Sequence, residues 1–326
     1  MQGQELSEPK AVTDTSVGID VGKSWLDAHV LPANQNLRVA NTPQGIRKLK
    51  RWLRRWPGAR IVLEATGKWH RALHRSLYAE GWWVAVVDPF RVRMFAKAHG
   101  ILAKTDRLDA RVLAVFAAMM DPRARPPAPQ ALQVLQELVC ARASAVAEQT
   151  ALHNQRAAAQ SAFLRRQLTR RVARLDRDIA SLEAEIARRI ADDPALAWRH
   201  RILLSIPGIG PANAALLVAC LPELGAASAK EIAALVGVAP VCDDSGERHG
   251  YRRIKGGRQI VRNGLYLAAL TAARHNPALR AFYRRLIDNG KAAKVALIAV
   301  ARKIAILANT LIAENREWSS LPPNHA

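Results

Sequence analysis

The sequence predicts an α/β unit followed by an all-α remainder. Three observations carry this. Short β-patterned runs alternate with amphipathic helical stretches through the first third of the chain. The proline-rich segment Asp121-Pro122-Arg123-Ala124-Arg125-Pro126-Pro127-Ala128-Pro129 then interrupts regular structure. Beyond it, apolar residues recur at helical spacing almost to the C-terminus. The 326 residues suffice for two or three domains, and half of them are hydrophobic, ample for packed cores.

Residues 1–15 are polar, lack the apolar core of a signal peptide, and are expected to be a flexible lead-in. Val17 to Leu31 reads as a β-hairpin around a Gly22-Lys23-Ser24 turn. Asp20 interrupts its apolar run, and a strand-end carboxylate is costly to bury unless paired or metal-bound. Turn capping is the plainer alternative. Thr42-Pro43-Gln44-Gly45 precedes a basic amphipathic helix over Ile46–Trp56, ended by Pro57-Gly58. Ile61–Gly67 is a second short strand with Glu64 near its carboxyl end. A helix over Trp69–Glu80, a strand over Trp82–Val87 and a helix over Phe90–Lys97 follow. Such alternation predicts helices packed on a sheet, with chemistry collecting at the carboxyl ends of the strands.

The segment Lys104-Thr105-Asp106-Arg107-Leu108-Asp109-Ala110-Arg111 opens the next helix. Asp106 and Asp109 are three apart and share a face. Two like charges repel unless a proton or cation lies between them. In so basic a chain, the economical account is a divalent metal that meets phosphate. Asp20, Glu64, Asp106 and Asp109 are therefore candidate ligands for one or two Mg²⁺ ions, which take oxygen donors and keep waters for substrate phosphates. Lys104 and Arg107 are candidate phosphate contacts. With 27 acids in the chain, spacing alone is weak, and the order hairpin Asp, strand Glu, helix Asp-x-x-Asp gives the quartet its weight.

The formal net charge is +22. Solubility asks only about 2–8 charges on a small domain, so the excess argues for a polyanionic partner, most often nucleic acid. No apolar run reads as long enough to span a bilayer, since Arg302 and Lys303 break Val295–Ala313. The three cysteines are odd in number and form no C-x-x-C pair, which argues against zinc or a disulfide framework and fits a cytoplasmic protein.

After the proline-rich segment (122–129), residues 130–199 read as a long helical hairpin or a coiled coil across protomers, broken near Ser161–Gln167. Leu168, Val172, Leu175, Ile179, Leu182, Ile186 and Ile190 make a near-heptad seam. Arg165, Arg166, Arg170, Arg171, Arg174 and Arg177 crowd the start of the second helix, either a solvated face or a phosphate-binding edge. The C-terminal domain (200–318) opens on Ser205-Ile206-Pro207-Gly208-Ile209-Gly210-Pro211, which looks like a helix-hairpin-helix element. Gly208 and Gly210 would let backbone N–H groups approach phosphate there; a simple αα corner is the alternative. Ala212–Cys220, Glu231–Val236, a stretch from Ile260 and Lys291–Ala313 read as helices, and 319–326 as a tail. Ser245-Gly246 sits in a polar loop, where Ser-Gly is usually a turn.

Gly18-Ile19-Asp20-Val21-Gly22-Lys23, Glu64-Ala65-Thr66-Gly67 and Lys104-Thr105-Asp106-Arg107-Leu108-Asp109-Ala110 resemble the signatures of the DEDD transposases of bacterial insertion sequences. Gly237-x-Ala239-Pro240, Ser245-Gly246 and Gly256-Gly257-Arg258-x-x-Val261-Arg262 resemble their second domain. The resemblance implies a RuvC-like, RNase H-type mixed sheet at residues 16–121 that binds Mg²⁺ through the four acids. It also implies Ser245 as a nucleophile that becomes joined to DNA. Arg252, Arg253, Lys255, Arg258 and Arg262 would steady the phosphate. Donor and target DNA, a bridge RNA as guide, and a dimer or tetramer with an active site shared between protomers are further implications. A water-using nuclease or junction resolvase and a non-catalytic nucleic-acid binder are the competing expectations.

Overall fold

Alternating apolar residues build a five-stranded mixed sheet in the first part of the chain. The computed structural model describes residues 15–65, 67–101, 106–242, 250 and 252–319, with all of their side chains except those of Asp106 and Arg107. The chain divides into two units, Met1–Ala128 and Pro129–Ala326.

In the first unit, β1 (Ser16–Val21), β2 (Trp25–Leu31) and β3 (Gln35–Ala40) form an antiparallel meander. Then come α1 (Pro43–Leu53), β4 (Arg60–Glu64), α2 (His70–Tyr78), β5 (Val84–Val87), α3 (Pro89–Ala98) and α4 (Asp106–Met120). The strand order is β3-β2-β1-β4-β5, with β4 parallel to β1 and β5 parallel to β4. The period-2 pattern splits each strand between two layers. Val17, Ile19, Val21, Leu26, Ile61, Leu63 and Val84 pack with Leu49 and Leu53 of α1 and Leu73 and Leu77 of α2. On the other face, Val62, Ala85 and Val87 pack with Val92 and Ala96 of α3 and with Val112–Ala117 of α4.

β3 has no counterpart in the sequence reading. It is an edge strand with only Leu37 and Val39 as large apolar residues, so its alternation is too sparse to stand out. Helix α1 starts at Pro43, earlier than Ile46, because the Thr42 side chain accepts a hydrogen bond from Gly45 N and Pro43 suits the first turn. His74 is buried, and its Nε2 lies 3.0 Å from the Arg125 carbonyl oxygen. Burial lowers its pKa, and the Arg125 hydrogen bond opposes that shift.

The second unit begins with α5 (Gln130–Ala158) and α6 (Ala162–Ala191), packed antiparallel. Cross-pairs Arg142–Glu183 (2.6 Å) and Arg171–Glu148 (3.7 Å) report that direction. The break falls at residues 159–161, ahead of the expected Ser161–Gln167, because the Ser161 side chain caps α6 at Leu164 N. Next are α7 (Pro194–Ser205), α8 (Pro211–Cys220), α9 (Ala229–Val236), the short strands β6 (Pro240–Val241) and β7 (Arg253–Ile254), α10 (Gln259–His275), α11 (Pro277–Asp288) and α12 (Ala293–Ala313). The boundary expected between residues 199 and 200 falls inside α7, and Leu135, Val139, Ile186 and Ile190 at the base of the α5–α6 pair share one core with α7, α8, α10 and α12.

Helix α12 is, among the described residues, long and apolar enough to cross a membrane, contrary to the reading that Arg302 and Lys303 break it. It is a core helix here. Leu297, Val300, Ala301, Ile304, Ala305, Ala308 and Leu311 are buried within the second unit's core cluster, and the helix packs on α9, α10 and α11. All three cysteines are free. Burial, with the Cys140 thiol beside it, pushes the Cys220 thiol up to about 12, so it stays protonated.

Candidate active site

Two of the four predicted acids share one face of the sheet. The last parallel pair, Ile19↔Leu63, makes the next residues, Asp20 and Glu64, neighbours at the carboxyl ends of β1 and β4. Ile19 and Leu63 point into the α1–α2 layer, so Asp20 and Glu64 belong to the α4 face. Helix α4 lies against that face through Gly18: a Cβ there would stand 2.1 Å from the Ala110 carbonyl oxygen and 2.3 Å from Ala114 N. Helical periodicity sets Asp109 on the side of α4 that carries Leu113, which is buried. Asp106 and Asp109 both lie in the first turn, where the positive end of the helix dipole favours negative charge. Asp20, Glu64 and Asp109 are each half-buried.

These are hard oxygen donors of the kind Mg²⁺ takes. Among the described residues, no three His, Cys, Asp or Glu side chains gather closely enough to hold a metal ion. The Asp106 side chain, Lys104, the Arg107 side chain and Ser245 lie outside the described residues.

A further acid, outside the three motifs, stands on this face. Asp20 pairs across the hairpin with Asp27, which is 5% exposed and lies 3.6 Å from Arg38 Nε. Its place shows only in the register, in which the turn centres on Lys23-Ser24.

In the second unit, β6 and β7 form a small ladder, Pro240↔Ile254 and Val241↔Arg253. Glycines make its base. Gly237 (φ 77°) ends α9, and a Cβ on Gly257 (φ 70°) would stand 2.3 Å from Gly237 N, so the two backbones touch. Arg262 Nη1 donates to the Gly256 carbonyl (2.6 Å) and the Gly237 carbonyl (3.4 Å). Arg258 makes a two-pronged pair with Glu223 (2.6 Å each) and donates to the Cys220 carbonyl (2.9 Å). Arg258 and Arg262, expected at phosphate, make these contacts beside the ladder, while Arg252, Arg253 and Lys255 are exposed. Arg262→Met is expected to destabilise the second unit by about 2 kcal/mol, the worth of a charged hydrogen-bond donor, and to speed proteolysis within 242–252. Arg262→Lys should restore part of the loss, since both carbonyls are met from the one nitrogen Nη1 and an ammonium also carries several donors. Unchanged unfolding and cleavage rates would refute the clamp.

The other basic candidates divide similarly. Arg165, Arg166, Arg170, Arg171, Arg174 and Arg177 are all exposed on α6, though Arg165 also donates to the Ala159 carbonyl (2.7 Å) at the end of α5. Gly208 (φ 109°) has a packing role: a Cβ there would meet Ala272 Cβ of α10 at 2.6 Å. Gly210, at the N-cap of α8, faces open space.

Residues 17–164 match a family model described as "Transposase", the DEDD type of the IS110 elements, and residues 200–284 match the "Transposase IS116/IS110/IS902 family". The chain is 29% identical over 321 residues to the "Pilin gene-inverting protein" of Moraxella bovis, spanning 94% of this chain and 98% of that one. The Moraxella lacunata protein of the same name is 28% identical over 94% of this chain and 98% of its own length. An IS900 insertion-element 42 kDa protein of Mycobacterium paratuberculosis is 37% identical over 139 residues, 40% of this chain and 35% of that protein.

Proposed function

The chain belongs to the IS116/IS110/IS902 family of transposases, and from that premise we propose that it cuts and rejoins DNA strands of a mobile element through a covalent serine intermediate. The observation that carries this is the meeting of Asp20 and Glu64 on the α4 face, at the strand ends beside the helix that begins with Asp106 and Asp109. The strand order, three antiparallel strands followed by two parallel ones, supports an RNase H or RuvC-like reading of the first unit. The printed name of the Moraxella relatives, a protein that inverts a gene, fits strand exchange at defined sites.

Asp20, Glu64, Asp106 and Asp109 would hold one or two Mg²⁺ ions, which when bound neutralise charge on the phosphate. The Ser245 hydroxyl attacks phosphorus and gives up its proton. The bond to one ester oxygen breaks, and that oxygen takes up a proton to leave as a strand-end hydroxyl. The other strand end remains joined to Ser245 until a new strand's hydroxyl displaces the serine oxygen, which is protonated again. A serine hydroxyl is a poor nucleophile without activation and charge stabilisation. The exposed Arg252, Arg253 and Lys255 beside the ladder are suited to the second task. The net charge of +22 suits long phosphate tracks and supports DNA together with a guide RNA as partners. The long α5–α6 pair offers a surface for a dimer or tetramer.

Incubation with end-labelled DNA should yield a protein–DNA adduct that survives denaturation. Ser245→Ala should abolish the adduct and all cleavage, and ribonuclease treatment of the purified protein should abolish both in the wild type. Normal cleavage by Ser245→Ala would favour a nuclease that uses water, and an adduct insensitive to ribonuclease would remove the guide.

A further inference from the structure

The carboxylate of Asp20 does not stand on a featureless edge. Asp20, Lys23, Ser24, Trp25, Asp27 and Arg38 line an open cleft of about 260 Å³. Its floor follows from the hairpin register. Leu26, Ala28 and Val30 of β2 point into the α1–α2 layer, so Trp25 and Asp27 fall on the same face as Asp20. Trp25 remains 49% exposed, an unusual state for the largest apolar side chain. The Arg38 guanidinium lies over its ring, 5.3 Å from the centroid, and the same side chain reaches Asp27 at 3.6 Å. The aromatic face and its cation are therefore held together by a buried carboxylate.

The rim continues the same chemistry. Lys23 Nζ lies 5.9 Å from the Trp69 ring centroid, and Lys68 Nζ lies 5.6 Å from it. Asn41 Nδ2 donates to the Gly22 carbonyl (2.9 Å) and to the Trp69 carbonyl (3.4 Å), tying the β1–β2 turn to the segment that follows Glu64.

An exposed aromatic flanked by cations is how proteins hold unpaired bases: the ring stacks and the cations meet the backbone. We propose that this cleft binds an unpaired nucleobase of the DNA strand next to the phosphate being cut, stacked on the Trp25 ring in the place of the Arg38 guanidinium, which then turns with Lys23 toward that nucleotide's phosphate. A base inside a duplex has both faces covered by its neighbours, so the site selects a strand already opened or a nucleotide turned out of the stack. This rests on reading Asp20 as an active-site acid; the base-binding itself needs no metal.

Fluorescence tests it. Single-stranded DNA oligonucleotides carrying one 2-aminopurine are titrated with the full-length protein in chelator. Emission should fall for the wild type, and a duplex of the same sequence should show no such change. Trp25→Ala should lose the change and bind the single strand about tenfold more weakly, within the range for loss of one stacking contact. Trp25→Phe, which keeps a ring face, should retain most of both. Equal quenching and affinity in Trp25→Ala, or a Trp25→Phe variant no better than Trp25→Ala, would overturn the assignment. Glu64→Gln, at an acid outside the cleft lining, separates the two readings. It should keep the fluorescence response while losing cleavage; cleavage retained with the response intact would sink the active-site reading and leave the base site standing.

Discussion

Gly18→Ala is expected to destabilise the first unit by about 3 kcal/mol or more, the upper part of the range for overpacking a core. The reason is geometric. The added methyl would stand 2.1–2.3 Å from backbone atoms of Ala110 and Ala114, and neither has a rotamer with which to retreat. Relief requires α4 to lift from β1. That helix carries Val112, Leu113, Val115 and Phe116 into the core, so lifting it loosens contacts along its length. It also carries Asp106 and Asp109, so the lift moves half of the proposed acid quartet away from Asp20 and Glu64. A displacement near 1 Å can cost about a hundredfold in rate. Strand cleavage, normalised to folded protein, should fall by about that factor. Denaturant unfolding and a cleavage assay on the same preparation check both parts, and a Gly18→Ala protein with wild-type stability would show that α4 does not rest on β1 as described.

Asp20→Asn should have the opposite profile: a fold at least as stable and chemistry reduced at least about a thousandfold. The substitution nearly preserves shape and removes one of two carboxylates that face each other directly, Asp20 and Asp27. Relief of a like-charge cross-strand pair contributes up to about 1 kcal/mol, with the Arg38–Asp27 contact moderating it. Thermal unfolding in chelator should therefore show an unchanged or raised midpoint. With Mg²⁺ at a hundred times its dissociation constant, the wild type should gain about 2.7 kcal/mol from binding, and the variant much less. Catalytic loss on this scale follows if the acids organise charge at the reacting phosphate, where even a single removed donor costs about 10²–10³ in rate. Unimpaired recombination by Asp20→Asn would point instead to an architectural nucleic-acid binder.

Both predictions concern residues visible in the sequence, and they show where that visibility stopped. Asp20, Glu64, Asp106 and Asp109 could be named because strands and helices announce themselves locally through period 2 and period 3.6. Asp27 could not be chosen over other acids, since its importance depends on lying opposite Asp20, and register is a property of two strands. Gly18 read as part of a motif. That a helix backbone presses on it is a fact about α4, 92 residues further on to Ala110. Arg258 and Arg262 looked like phosphate ligands for the same reason. Charge is legible in a sequence, but whether Glu223 or the carbonyls of Gly237 and Gly256 already engage it is not.

The α/β-then-helical architecture, the proline-rich passage between its two parts, the basic character of the chain and its membership among the transposases are legible in the residues alone. All of these rest on local periodicity, composition or short motifs. Only the tertiary structure decided which face of the sheet carries Asp20 and Glu64, that the base of the α5–α6 pair shares a core with α7 and α8, and that an exposed Trp25 stands beside the acids. Those outcomes depend on contacts between residues far apart in the chain, and the free energy of such contacts is fixed by packing, which no single segment encodes.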